Sequence, residues 1–75
     1  MPRLKVFSGQ ALRALLAIHG FTAVRQRGSH RVMQKKSGEG TITVPIPMHR
    51  EIRIGTLQSI IRQTGVPRAE FLDQE

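Results

Sequence analysis

The spacing of apolar positions along the 75-residue chain changes several times, and each change marks an element. Between Ser8 and Gly20, residues Ala11, Leu12, Leu15, Leu16 and Ile18 recur at helical spacing, leaving Gln10, Arg13 and Ala17 on the other side. Ser8 offers the side-chain oxygen that caps a helix start, and Gly20 the backbone freedom that ends one. A helix of about three turns is predicted. From Phe21 to Arg27 the pattern becomes alternating, with Val24 on one side and Arg25 and Arg27 on the other, until Gly28 breaks it. His30 to Lys35 and Thr41 to Val44 read as two further strands joined by a flexible "KSGEG". Pro45 and Pro47 are expected to stop the third strand from continuing in a central position. An irregular "PIPMHREIRIG" crossover then leads to a second helix, from a cap at Thr56 to a stop at Gly65. In it Leu57, Ile60, Ile61 and Thr64 stand at i, i+3, i+4 and i+7. Pro67 opens a short last turn, "PRAEFL".

Helix, three-stranded antiparallel meander, helix is an α+β order. It buries its apolar stripes most simply by laying both helices on one face of the sheet, with the other face open. The α-β-β-β-α order is that of double-stranded-RNA-binding domains, which read RNA through shape, backbone and 2′-hydroxyl contacts. With no repeat or linker in sequence, residues 1–75 are read as one domain.

Charge gives that open face a use. Twelve Lys+Arg against five Asp+Glu give a net charge of +7, and Glu70, Asp73 and Glu75 gather at the end, so the body of the chain is more basic still. A domain this basic points to a polyanion, most simply nucleic acid. The absence of cysteine excludes disulfides, thiolate zinc sites and a cysteine nucleophile, and fits a reducing compartment. No apolar run approaches the ~20 residues of a membrane span, and the first residues lack the apolar core of a signal peptide. A soluble, cytoplasmic protein without a membrane partner is expected.

The chemistry concentrates in Arg25 to Arg31, "RQRGSHR". It crowds three guanidinium groups around an imidazole, an arrangement that a bound phosphate would balance. Histidine exchanges protons near neutrality. An RNA nuclease that uses the 2′-hydroxyl as nucleophile needs only a base, an acid and cations for the charge at phosphorus. His30 supplies the proton transfer in that scheme, Arg25, Arg27 and Arg31 the cations, and Lys35 and Lys36 a path for the strand. His49, after two prolines, is a secondary candidate, and His19 reads as a half-buried or helix-capping residue. Ser29 has neither a nucleophile elbow nor a placed acid, so with Gly28 it reads as a turn beside the phosphate. Glu39, Glu51 and the tail acids are too scattered in sequence to gather a catalytic metal pair, and no metal or cofactor is expected. Phe7, Phe21 and Phe71 are the only aromatic residues and look like core, which leaves no stacking platform for bases.

Four blocks in order, "SGQALRALLAIHGF", "RQRGSHR", "TVPIPMH" and "GTLQSIIRQTGVPRAEF", resemble the HicA family of small bacterial toxins, and together they span nearly the whole chain. The resemblance implies a double-stranded-RNA-binding-like fold. It also implies an mRNA-cleaving endoribonuclease whose essential histidine is that of Gly-Ser-His, here His30, and a HicB-like acidic antitoxin that covers it. A non-catalytic RNA-binding module, or a domain docking an acidic protein, would share the charge and the fold.

Overall fold

The computed structural model describes residues 3–73; Glu75 of the acidic tail lies outside them. Helix α1 spans Gly9–Ile18, strands β1, β2 and β3 span Thr22–Arg27, His30–Ser37 and Gly40–Pro47, helix α2 spans Ile54–Thr64, and a 3-10 turn follows at Arg68–Phe71. The strands form one antiparallel sheet in the order β1-β2-β3, which is the expected α-β-β-β-α fold.

The first helix begins where its cap was expected: the Ala11 N–H donates to the Ser8 hydroxyl oxygen at 3.0 Å. Only part of the expected stripe faces inward. Leu12 and Leu16 are fully buried and Leu15 packs at their margin, but Ala11 is exposed and Ile18 is 79% exposed. Ile18 is the last helical residue, beyond the reach of the sheet. Helix α2 starts at Ile54, two residues before the expected cap at Thr56; Arg53 takes the cap position with no side-chain hydrogen bond. Its stripe holds throughout, with Leu57, Ile60, Ile61 and Thr64 all buried. Gly65 ends the helix at a φ of 74°, and the Thr64 hydroxyl closes the end by donating to the Ile61 carbonyl and accepting from the Val66 N–H.

The first hairpin turns at Gly28-Ser29 as expected, and the second is tighter than the expected five-residue connection. Arg27 pairs with His30 and Ser37 with Gly40, so each turn has two residues, Gly28-Ser29 and Gly38-Glu39. The first residue of each is a glycine at positive φ, 60° and 57°, as two-residue hairpin turns with glycine leading require. The "KSGEG" connection therefore belongs mostly to strands. The third strand likewise runs on through Pro45 and Pro47. β3 is an edge strand, and prolines two residues apart both turn their missing N–H away from β2, while Val44 and Ile46 between them keep the ladder.

Register settles which side chains share a face. Met33 pairs with Val44 and Arg31 with Ile46, and Met33, Val44 and Ile46 belong to the core beneath the helices with Leu12, Leu16, Leu57, Ile60 and Phe71. Val32 alternates to the opposite face, buried there and separate from that core. The helices pack against β3, and every residue of β1 is exposed. Val24, expected on the side opposite Arg25 and Arg27, is 45% exposed and sits in a register shift between Ala23 and Arg25. Outside the elements, Leu4 bridges Leu72, and Phe7 meets Phe71 edge to face with ring centroids 6.0 Å apart. The three phenylalanines are core, as expected.

Candidate active site

On the face of the sheet opposite the core, register lines residues up in rows across all three strands, and α2 borders it through a space of about 350 Å³ shared with His30, Pro45 and Pro47. Arg27, His30 and Pro47 form the first row; Arg25, Val32 and Pro45 the second; Thr22, Gln34 and Thr43 the third. The Gly28-Ser29 turn sets this arrangement, because it makes His30 the first residue of β2 and so gives it the parity of Val32 and Gln34. A cleft of about 420 Å³ opens over these rows, lined by Arg25, Arg27, His30, Val32, Thr43 and Pro45. Two of the three arginines of "RQRGSHR" thus share a cleft with His30.

The third does not. Arg31 alternates to the helix side beside Ile46, and its guanidinium donates to the Gln26 side-chain oxygen at 3.3 Å. Lys35 has the same parity as Arg31, and its ammonium stands 5.8 Å from the centre of the Phe21 ring. Lys36 belongs to the open side, six residues from His30 and so about 20 Å along the strand. Both lysines line a second cleft of about 450 Å³ with Gly20, Thr22, Val24, Gln34 and Thr41, which begins at the third row. Ser29 occupies the turn, exposed, with its carbonyl accepting from the Met48 N–H at 2.7 Å.

His30 also faces a smaller cavity of about 210 Å³, shared with Pro47, His49, Glu51, Ile52, Arg53 and Thr56. The two histidines read as primary and secondary candidates, 19 positions apart in sequence, therefore line one space. Backbone hydrogen bonds hold the crossover that carries His49. Met48 N–H donates to Ser29, Gly9 N–H donates to the His49 carbonyl at 2.9 Å, and Ile52 N–H donates to Phe7 at 2.8 Å. These bonds tie the first hairpin, the start of α1 and the entrance of α2 to one short segment. Glu51, Arg53 and Thr56 were not read from sequence as site residues. No motif marks them for that role, and only the return of the crossover and the first turn of α2 to the cavity brings them to His30.

His19 lies elsewhere, at the end of α1, where its Nε2 is 3.3 Å from a Glu70 carboxylate oxygen. Among the described residues no group of three or more His, Cys, Asp or Glu side chains is placed to hold a metal ion. Among them, too, no helix is long and apolar enough to cross a membrane.

The family model of the HicA toxin of bacterial toxin–antitoxin systems matches residues 9–66, from the first residue of α1 to just beyond α2. The chain belongs to the HicA toxin family, and membership implies a cognate antitoxin as partner. No curated protein and no solved structure matches it.

Proposed function

We propose that this protein is a toxin-type endoribonuclease of the cytoplasm that cuts mRNA by metal-independent histidine acid–base catalysis, and that an acidic, HicB-like antitoxin silences it by covering His30. The observation that carries this reading is that His30 borders one space with Arg25 and Arg27 and another with His49. A phosphodiester at His30 meets cations in one and a second imidazole in the other.

The chemistry balances with these groups alone. One imidazole takes the proton of the 2′-hydroxyl as its oxygen attacks the adjacent phosphorus. The bond from phosphorus to the 5′-oxygen breaks, and a second group returns a proton to that oxygen. A 2′,3′-cyclic phosphate and a free 5′-hydroxyl result. Arg25 and Arg27 face the charge that builds on the phosphoryl oxygens, where fixed cations contribute most. His30 is the principal proton-transfer residue and His49 its partner. Ser29 borders the phosphate in the turn, Lys36 and Lys35 guide the strand further along β2, and Arg31 adds charge from the sheet's other side.

The test is His30→Ala, assayed on RNA with EDTA present. Loss of one acid–base group should slow cutting by roughly 10²- to 10⁴-fold. A folded variant that cuts at the original rate would sink the mechanism. RNA that is bound yet remains whole after long incubation with the unaltered protein would favour a non-catalytic RNA-binding module. Growth arrest on induction, relieved by a co-expressed acidic antitoxin, tests the toxin role.

A further inference from the structure

The cleft next to His30 has features that proton transfer does not use. From the His30 row, each two-residue step along β2 advances about 7 Å. The first step reaches Val32, 5% exposed, with Arg25 and Pro45 as its register partners on either side. The second reaches Gln34 and Thr43, joined by a hydrogen bond of 3.3 Å from the Gln34 Nε2 to the Thr43 Oγ1. The cleft therefore runs from a proton-transfer group, over an apolar floor between a guanidinium and a proline ring, to Thr43, whose hydroxyl is bonded to Gln34 on the border of the neighbouring cleft.

We infer that this cleft seats one nucleobase, that of the nucleotide adjoining the cleaved phosphate, and that Gln34 and Thr43 read its edge. The inference rests on the proposal that this face meets RNA. A guanidinium is one of the few non-aromatic groups that stack on a base, and Arg25 stands where it can do so without leaving reach of the phosphate. Pro45 gives the opposite wall a flat apolar ring, and Val32 closes the bottom. The protein has no exposed aromatic side chain for this purpose, since all three phenylalanines are buried.

The polar pair retains hydrogen-bonding capacity. With its oxygen accepting from Gln34, the Thr43 hydroxyl still has its proton to donate, and the Gln34 side-chain carbonyl is an acceptor. A donor beside an acceptor is what a base edge pairs with, whereas phosphate oxygens only accept. At about 420 Å³ the cleft falls within the ~300–1,000 Å³ range of small-ligand sites. It is suited to one unpaired nucleoside rather than to a base-paired one, whose edge is already occupied.

Two measurements test this separately from the nuclease reading. Cut sites are mapped on a random-sequence RNA pool for the unaltered protein, Thr43→Val and Gln34→Leu. The base preference at one position beside the cut should fall by roughly tenfold in each variant, the worth of one hydrogen bond. Amide chemical shifts of the His30→Ala protein are then followed as a mixed-sequence RNA tetranucleotide is added, and Val32, Gln34 and Thr43 should move together. If the unaltered protein cuts no RNA but those amides shift, the nuclease reading fails and the base site stands. Unchanged cut-site preferences in both variants, or amides that stay still under saturating tetranucleotide, would overturn the base site.

Discussion

Gly9→Ala is the substitution whose outcome the structure constrains most tightly. Gly9 opens α1 against the end of β3, and its N–H donates to the His49 carbonyl. A Cβ built there would lie 2.7 Å from the Met48 Cα and would overlap the Pro47 carbonyl oxygen. Both obstacles are backbone, so no side-chain rotation relieves them. Forcing a methyl group into such a space costs about 1–3 kcal/mol. Alanine's better helix propensity returns at most about 1 kcal/mol, and less at the first helical residue than in the middle. The expected net loss is about 1–2 kcal/mol. A domain of this length holds only roughly 4–11 kcal/mol in total, and each kcal/mol moves its melting temperature by about 4–8 °C. Thermal unfolding followed by circular dichroism should therefore show a fall of roughly 5–15 °C. Urea titration should show a lower midpoint with an unchanged slope. RNA cutting below the transition should fall as well, because relief of the clash displaces the segment that carries His49. A melting temperature equal to or above that of the original protein would refute the close approach on which the placement of His49 rests.

Two further outcomes follow from the site. Arg25→Gln and Arg27→Gln should each lower the slope of log affinity against log salt for single-stranded RNA by about 0.7, while Arg62→Gln on the exposed side of α2 should leave it unchanged; filter binding from low to moderate salt reads the difference. Gly28→Ala should destabilise the protein by about 1 kcal/mol in urea titration, since a left-handed φ is costly for a residue with a Cβ even though nothing lies within 4 Å of it. Gly28→Asn should lose less, because asparagine tolerates that region better.

Local periodicity made much of the fold legible. The stripe Leu57, Ile60, Ile61, Thr64 is a property of one helix and needs no knowledge of its neighbours, and the same holds for the Ser8 cap and the glycine stops. Legibility failed where a residue's fate depends on what lies beside it. Ile18 and Val24 fit apolar patterns, but one lies past the end of the covered surface and the other in a register shift of an uncovered edge strand. Pro45 and Pro47 looked like terminators because a proline's meaning in a strand depends on which edge its nitrogen faces, and that is known only once the strand order is known. The site divides in the same way. "RQRGSHR" marked His30, Arg25 and Arg27 through composition alone, yet it could not say that Arg31 turns to the other face or that Glu51, Arg53 and Thr56 return to the same cavity.

By itself, then, the sequence determined the order of elements, the basic character, the family and the one histidine most worth testing. All of these are carried by residue type and by spacing within a few turns or strands. The tertiary structure alone decided that Met33 rather than Val32 faces the helices. The same choice puts His30 on the open face and brings His49 to its side. Parity along β2 links all three positions, so a single-residue change of register would exchange the faces of Val32 and Met33 and turn His30 under the helices. That register is set by the two-residue turn at Gly28-Ser29 and by the fit of Met33 against Val44, contacts between segments that no local pattern contains.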